Sequence, residues 1–243
     1  MRLSCLLYSD SCGSRHGLLY KGVAAHQPTE GQAQAPVSQE PITWAQLLKF
    51  RTTWAFSLAM FLVSPFWWFY LFWVPPFLNE RFGMDISNMG WPLVVIYSMA
   101  TVGAIGAGWL SQFLMKRWSV NIARKTALLA CAVCTVPVFM AAQCSSVWMS
   151  VAFIALAAAA HQGFSSNLFT LVSDTMPKQT VSSVVGIGGM AGAIGGMFIA
   201  KVTGYVLEWT GSYHVLFAMA AGAYLLAVLV IHLLVPKWRA IDK

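Results

Sequence analysis

The densest set of groups able to do chemistry in this sequence lies inside one apolar run: His161, Gln162, Ser165, Ser166, Asn167, Thr170 and Ser173. Their spacing matters more than their number. Gln162, Ser166, Phe169, Thr170 and Ser173 recur every three or four residues, so on a helix they share one face. Amide and hydroxyl groups on one face offer donors and acceptors either to a polar solute or to a neighbouring helix. His161 adds an imidazole that either relays a proton or sits neutral against a neighbour. A second set comes earlier: Ser64, Trp67, Trp68, Tyr70 and Trp73, interleaved with Phe66, Phe69 and Phe72. Indole and phenol donors of this kind line a sugar-sized space, or else pack a core or an interfacial belt. No metal-ligand cluster, nucleophile elbow or phosphate loop accompanies either set, which argues against an enzyme, a metal site or a cofactor. Cys131 and Cys134 form a C-x-x-C among the five cysteines, but no second Cys or His pair lies near them. They read as small apolar helix residues.

The elements that must position these groups follow from composition. Hydrophobic residues make up 58% of the chain and charged ones 9%, with a mean hydropathy of +0.65. A soluble domain needs about 25% charged residues to solvate its surface, so lipid must cover much of this one. The net charge of +7 does not point to nucleic acid, because the basic residues sit in short clusters between apolar runs.

A helix crossing the hydrocarbon layer needs about 20 mostly apolar residues. Five stretches without Asp, Glu, Lys or Arg are long enough: 52–79, 86–115, 126–173, 179–200 and 209–236. The third holds two spans, divided by the polar turn Gln143, Cys144, Ser145 and Ser146. Six helices are therefore expected, at about 54–78, 88–115, 124–143, 147–173, 181–207 and 213–235. The fold class is all-α integral membrane, a six-helix transmembrane bundle over residues 44–243. Lys49, Arg51, Lys116, Arg117, Arg124, Lys125, Lys178, Lys237, Arg239 and Lys243 fall on one side, and Arg81 alone on the other. Lysine and arginine in short loops stay cytoplasmic, so both termini are placed in the cytoplasm. An error in the helix count would break the alternation.

Residues 1–43 are polar, lack a sustained helical period and show no secretory signal, so they read as a mostly disordered cytoplasmic tail. Trp44 to Phe50 then reads as a short amphipathic helix at the membrane surface. Within the spans, Pro65, Pro75 and Pro76 predict a kinked or broken first helix. Gly188, Gly192 and Gly196 repeat every four residues, a stripe that lets two backbones approach, as a static contact or as a sliding one. Gly103, Gly106 and Ala107 repeat the theme in the second span. No Asp or Glu lies within any span, and Lys201 is the one membrane-depth cation, placed where its side chain can snorkel.

From about Pro41 to Trp238 the sequence resembles the C-terminal six helices of a major facilitator superfamily transporter. Gly108 and Ser111, followed by Lys116, Arg117, Arg124 and Lys125, are similar to a degenerate copy of the family's cytoplasmic gating loop. That loop normally has an Asp where Ser111 or Gln112 stands here. Gly204 to Phe217, with Glu208, Gly211 and Tyr213, resembles the turn between the last two helices. Phe66 to Trp73, Ser173-Asp174 with Pro177, and Val185 to Gly192 resemble the anion:cation symporter branch, and within it the hexuronate:proton symporters of bacteria.

The resemblance implies a multi-pass protein of the bacterial inner membrane that moves a sugar acid, a small organic anion. It implies substrate contacts midway along the first, fourth and fifth spans. By position these favour Ser64, Trp67, Trp68, Ser166, Asn167 and Phe169, beside the Tyr70, Gln162 and Thr170 read from the residues. Some relatives have Asn where this chain has Gly189. The branch's substrate-carboxylate arginine and its proton-coupling acids belong to an N-terminal half that this sequence lacks. Residues 1–25 match nothing in the family. Three readings stay open: the C-terminal half of a symporter, inactive alone; a half-transporter that dimerises; and a non-transporting membrane scaffold or remnant.

Overall fold

A computed structural model of the chain describes residues 43–237. The expected disordered tail before Thr43, and the basic residues Arg239 and Lys243, lie outside the described residues. Every regular element among the described residues is helical. A short α1 (Trp44–Leu47) precedes α2 (Arg51–Phe82), α3 (Gly90–Met115), α4 (Val120–Thr135), α5 (Val147–Thr175), α6 (Val181–Thr210) and α7 (His214–Leu234). A 3₁₀ helix, Val136–Gln143, continues α4, and counting that pair as one gives six helices long and apolar enough to cross a membrane.

The spans match the expected number and order, and several run longer. The backbone keeps its own hydrogen bonds past the last apolar residue, so α2, α5 and α6 carry Glu80, Asp174 and Glu208 in their terminal turns. The carboxylates excluded from the apolar stretches are thus helical residues at the bundle ends. Two long helices stop on glycine in the left-handed region, Gly83 (φ 63°) after α2 and Gly211 (φ 59°) after α6. A side chain with a Cβ would be strained at both positions.

Two expectations about helix continuity change. The break expected in the first span is absent: α2 runs unbroken through Pro65, Pro75 and Pro76. Pro65 removes the donor to the Phe61 carbonyl. That carbonyl is met by α6, where a Cβ built on Gly195 would come within 2.6 Å of it. The glycine lets a neighbouring helix shield the carbonyl, so α2 need not unwind. The irregularity lies instead in the third span, where Pro137 begins the 3₁₀ stretch. A proline there can neither donate to the i−4 carbonyl nor fit beside it, and the chain tightens to i−3 bonds, as in the Val136 N–H donation to the Val133 carbonyl.

The helices form two rows. One row reads α3, α5, α2, α6, with α3 packed on α5 and α6 packed on α2. The other contains α4, its 3₁₀ extension and α7, which back α5 and α2. Burial follows this order: 61% of the α5 window and 56% of the α2 window are buried, against 17% for α3 and 28% for α6. Aromatic rings join the rows. Phe69 and Phe77 of α2 meet Phe217 of α7 edge-on at 5.5 and 5.3 Å between centroids. The side of α5 and α2 facing away from α4 and α7 has no helix over it among the described residues. At the surface, α1 buries Leu47 while Trp44 stays 65% exposed, which fits an interfacial segment.

Candidate functional site

The polar face read from the sequence is an open face of α5. Gln162, Ser166 and Thr170 are half-buried there, and Phe169 and Ser173 are exposed. Their hydroxyls bond back to their own helix: Ser166 donates to the Gly163 carbonyl (3.0 Å), Thr170 to Asn167 (2.8 Å) and Ser173 to Phe169 (3.3 Å). None of these bonds reaches another helix. The hydroxyl oxygens keep lone pairs directed outward, so the face retains capacity for a solute or a partner. Asn167 is placed differently. It is 2% exposed, donates to the Gly163 carbonyl at 2.9 Å, and leaves its Oδ1 shielded without a partner.

Around the middle of α2, adjacent tryptophans diverge by the helical step. Trp67 turns towards α5 and α3, stacking on His161 at 5.3 Å (13° between planes) and meeting Tyr97 edge-on at 6.2 Å. Trp68 turns towards α6, lies on Gly196 and stacks on Phe72 at 5.8 Å. Ser64 faces α6 beside Gly192. Tyr70 is core, 1% exposed, with a shielded hydroxyl that has no partner among the described residues. His161 is tied on both ring nitrogens: Nδ1 is hydrogen-bonded to the Tyr224 hydroxyl at 2.6 Å, and Nε2 lies 3.4 Å from Ser165 Oγ. Trp67, His161 and the Gln162 face therefore meet near the midpoints of α2 and α5. Trp68 and Ser64 flank them on the α6 side, while Tyr70 and Asn167 stand behind.

The glycine stripe of α6 lies against α2. Gly188 abuts the Phe56 ring, a Cβ on Gly192 would come within 2.8 Å of Ser64 Oγ, and one on Gly196 within 2.9 Å of Trp68. At the basic end, Arg124 ties three elements. Its Nη1 donates to Ser111 Oγ (3.0 Å), and its Nε and Nη2 both lie 3.1 Å from Asp174 Oδ2. Lys125 donates to the Pro236 carbonyl at 2.7 Å, pinning the end of α7. Lys116 and Arg117 are exposed, and Gly108 faces open space. Lys201 is exposed on α6, its ammonium 5.8 Å from the Tyr205 ring centre.

Residues 18–200 and, in a second overlapping match, 57–240 fit the family model described as Major Facilitator Superfamily. The chain belongs to the Major Facilitator Superfamily. Among curated relatives, it is 26% identical over 215 residues to the hexuronate transporter of Escherichia coli K12, covering 88% of this chain and 49% of that one. It is 27% identical over 185 residues to the D-galactonate transporter of Escherichia coli O6:H1, covering 76% of this chain and 42% of that one. The chain thus spans about half the length of the curated relatives it matches. A solved bacterial homologue of the human lysosomal transporter Spinster shares its fold, with a TM-score of 0.54 and 16% identity over 85% of this chain and 51% of that one.

This is a membrane protein of a transporter family, as the resemblance implied, and the relatives are transporters rather than enzymes. Within the superfamily frame, two contributors were not named from sequence. Tyr97 carries a polar tip on an otherwise apolar span, a weak signal that only its meeting with Trp67 turns into a site contact. Asp174 stood among the quoted residues, but its pairing with Arg124, 50 positions away, needs the fold.

Proposed function

We propose that this bundle is the C-terminal half of a sugar-acid transporter, working with a second six-helix bundle laid across its open face. The observation that carries the reading is the uncovered row Gln162, Ser166 and Thr170 beside Trp67, at mid-span of the two most buried helices. Polar side chains at that depth are costly unless they meet another polar surface, water or a solute. The α5 row offers hydroxyls and an amide, and Trp67 an apolar platform with one N–H, a combination suited to sugar hydroxyls and C–H faces. The sugar-acid names of the relatives, and their doubled length, favour the same solute class and the second bundle.

Among the described residues the carboxylates of the spanning helices sit in terminal turns, as Glu80, Asp174 and Glu208 do. Proton coupling and the cation that meets the solute carboxylate therefore belong to the second bundle. Lys49, Arg51, Lys116, Arg117, Arg124, Lys125, Lys178 and Lys237 share one end of the bundle, which we place in the cytoplasm with both termini, the membrane being the bacterial inner membrane. Labelled galacturonate uptake tests the reading in cells making this chain with and without the N-terminal half of a hexuronate transporter. Uptake should require both. Uptake by this chain alone would remove the second bundle from the proposal. Failure with both, while a full-length transporter works in the same cells, would remove the solute class.

A further inference from the structure

The end of the bundle opposite the basic loops holds a separate polar cavity. The last turns of α2, the end of the 3₁₀ helix and the turn between α6 and α7 enclose 270 Å³. Glu80, Arg81, Gln143, Tyr213 and His214 contribute to its wall, with Phe77 behind them. Gly211, at φ 59°, makes the reversal that brings Tyr213 and His214 back towards the end of α2.

Tyr213 marks the cavity as a site. Its side chain is 94% removed from solvent, at 6% exposure, and its ring is held edge-on against Phe77 at 5.1 Å. Its hydroxyl is fully shielded and has no hydrogen-bond partner among the described residues. A buried hydroxyl left so carries a desolvation cost with no bond to offset it. Burial, with the Glu80 carboxylate beside it, pushes the phenol well above its ordinary pKa, so it remains a neutral donor. The other groups are complementary in kind: a carboxylate that accepts, a guanidinium that donates, an amide that does both, and an imidazole. Glu80 and Arg81 offset each other in charge, so the wall selects for hydrogen bonding rather than for net charge. An acyl chain would desolvate these groups without replacing their bonds. The volume lies just under the roughly 300–1,000 Å³ of drug-sized ligand sites, which suits one monosaccharide ring and nothing longer.

We propose that this cavity is a binding subsite for a monosaccharide-sized polyhydroxy solute, with Tyr213, Gln143 and Glu80 bonding its hydroxyls and Arg81 available to a carboxylate. It is separate from the open face of α5 and does not depend on it. The test uses the full chain in lipid nanodiscs, with D-galactose and D-galacturonate as probes in ligand-observed saturation-transfer NMR titrations. Binding of at least one sugar is expected. Tyr213→Phe should weaken it about tenfold, the loss of one hydrogen bond, while thermal stability holds or rises because an unpaired hydroxyl is gone. Galactose and galacturonate bound alike would assign the site to the hydroxyls. Galacturonate bound alone, and lost in Arg81→Ala, would assign its carboxylate to Arg81. Gln162→Ala with Ser166→Ala should leave this binding unchanged. Wild-type affinity in Tyr213→Phe, or no binding of either sugar, overturns the proposal. Binding lost in the α5 double variant but kept in Tyr213→Phe overturns it while leaving the transport reading intact.

Discussion

His161 is held on three sides, by Tyr224, Ser165 and the Trp67 ring, while its neighbour Gln162 faces the opening. The two adjacent residues therefore answer to different tests. Tyr224→Phe removes the 2.6 Å bond and leaves a buried imidazole nitrogen unpaired. That should cost about 1–3 kcal/mol of stability, read as a lower thermal midpoint in detergent. Because the imidazole supports Trp67, affinity for a sugar acid should fall as well. Ser166→Ala should instead lower affinity with little change in midpoint, since its hydroxyl bonds only to its own helix. A large midpoint loss in Ser166→Ala would make that side chain structural. At the basic end, Arg124 is 12% exposed and Asp174 34%, so their ion pair is partly screened. Asp174→Asn should cost about 1 kcal/mol at most, and less again in high salt. An unchanged midpoint at low salt would show that the pair adds nothing to the resting bundle.

The pairing of α6 with α2 is where element-scale packing decides the structure. A glycine stripe gives no affinity by itself; it permits approach, and the van der Waals contacts that follow replace the hydrophobic drive missing in lipid. Gly188→Ala would push a methyl into the Phe56 ring, whereas Gly189→Ala would enter open space. The first should lower the thermal midpoint. The second should hold or raise it, since alanine is favoured over glycine in a helix by roughly 0.5–1 kcal/mol. Equal responses would mean that α6 does not pack on α2 through this stripe. The stripe itself was legible in the sequence because period four on a helix is a local property. Its partner was not, because nothing local says that Phe56, Ser64 and Trp68 are what the glycines meet. The proline effects show the same divide. Three prolines in α2 and one in the third span look alike in sequence, yet Gly195 of a distant helix shields the carbonyl freed by Pro65, while Pro137 begins a 3₁₀ stretch. The six spans were readable from apolar length alone, and their ends were not, because helices outrun the hydrocarbon. The α5 face was readable from its period, but sorting Gln162 and Ser166 to the front and Asn167 and Tyr70 to the interior required the packing.

For the whole molecule, the remaining question is which way the bundle sits, because the two polar regions then acquire different access. Lys116, Arg117 and Lys178 are exposed at one end and Arg81 at the other. The rule for orientation counts lysines and arginines in short loops irrespective of nearby acids, so the ion pair of Arg124 with Asp174 does not weaken the bias. With the basic end in the cytoplasm, the Tyr213 cavity opens outward and the α5 face lies between the two ends, reachable from either side as a partner bundle rocks. Single cysteines at exposed positions test this in a background whose five native cysteines have been replaced. Asn88→Cys, in the turn between α2 and α3, should react with a membrane-impermeant maleimide on intact cells. Ser119→Cys, at the start of α4, should react only in inside-out vesicles. The reverse pattern would invert the bundle and turn the Tyr213 cavity inward. Labelling of both positions from one side would mean that a span between them fails to cross, and α3 is the helix at risk because it buries the smallest share of its surface within the bundle.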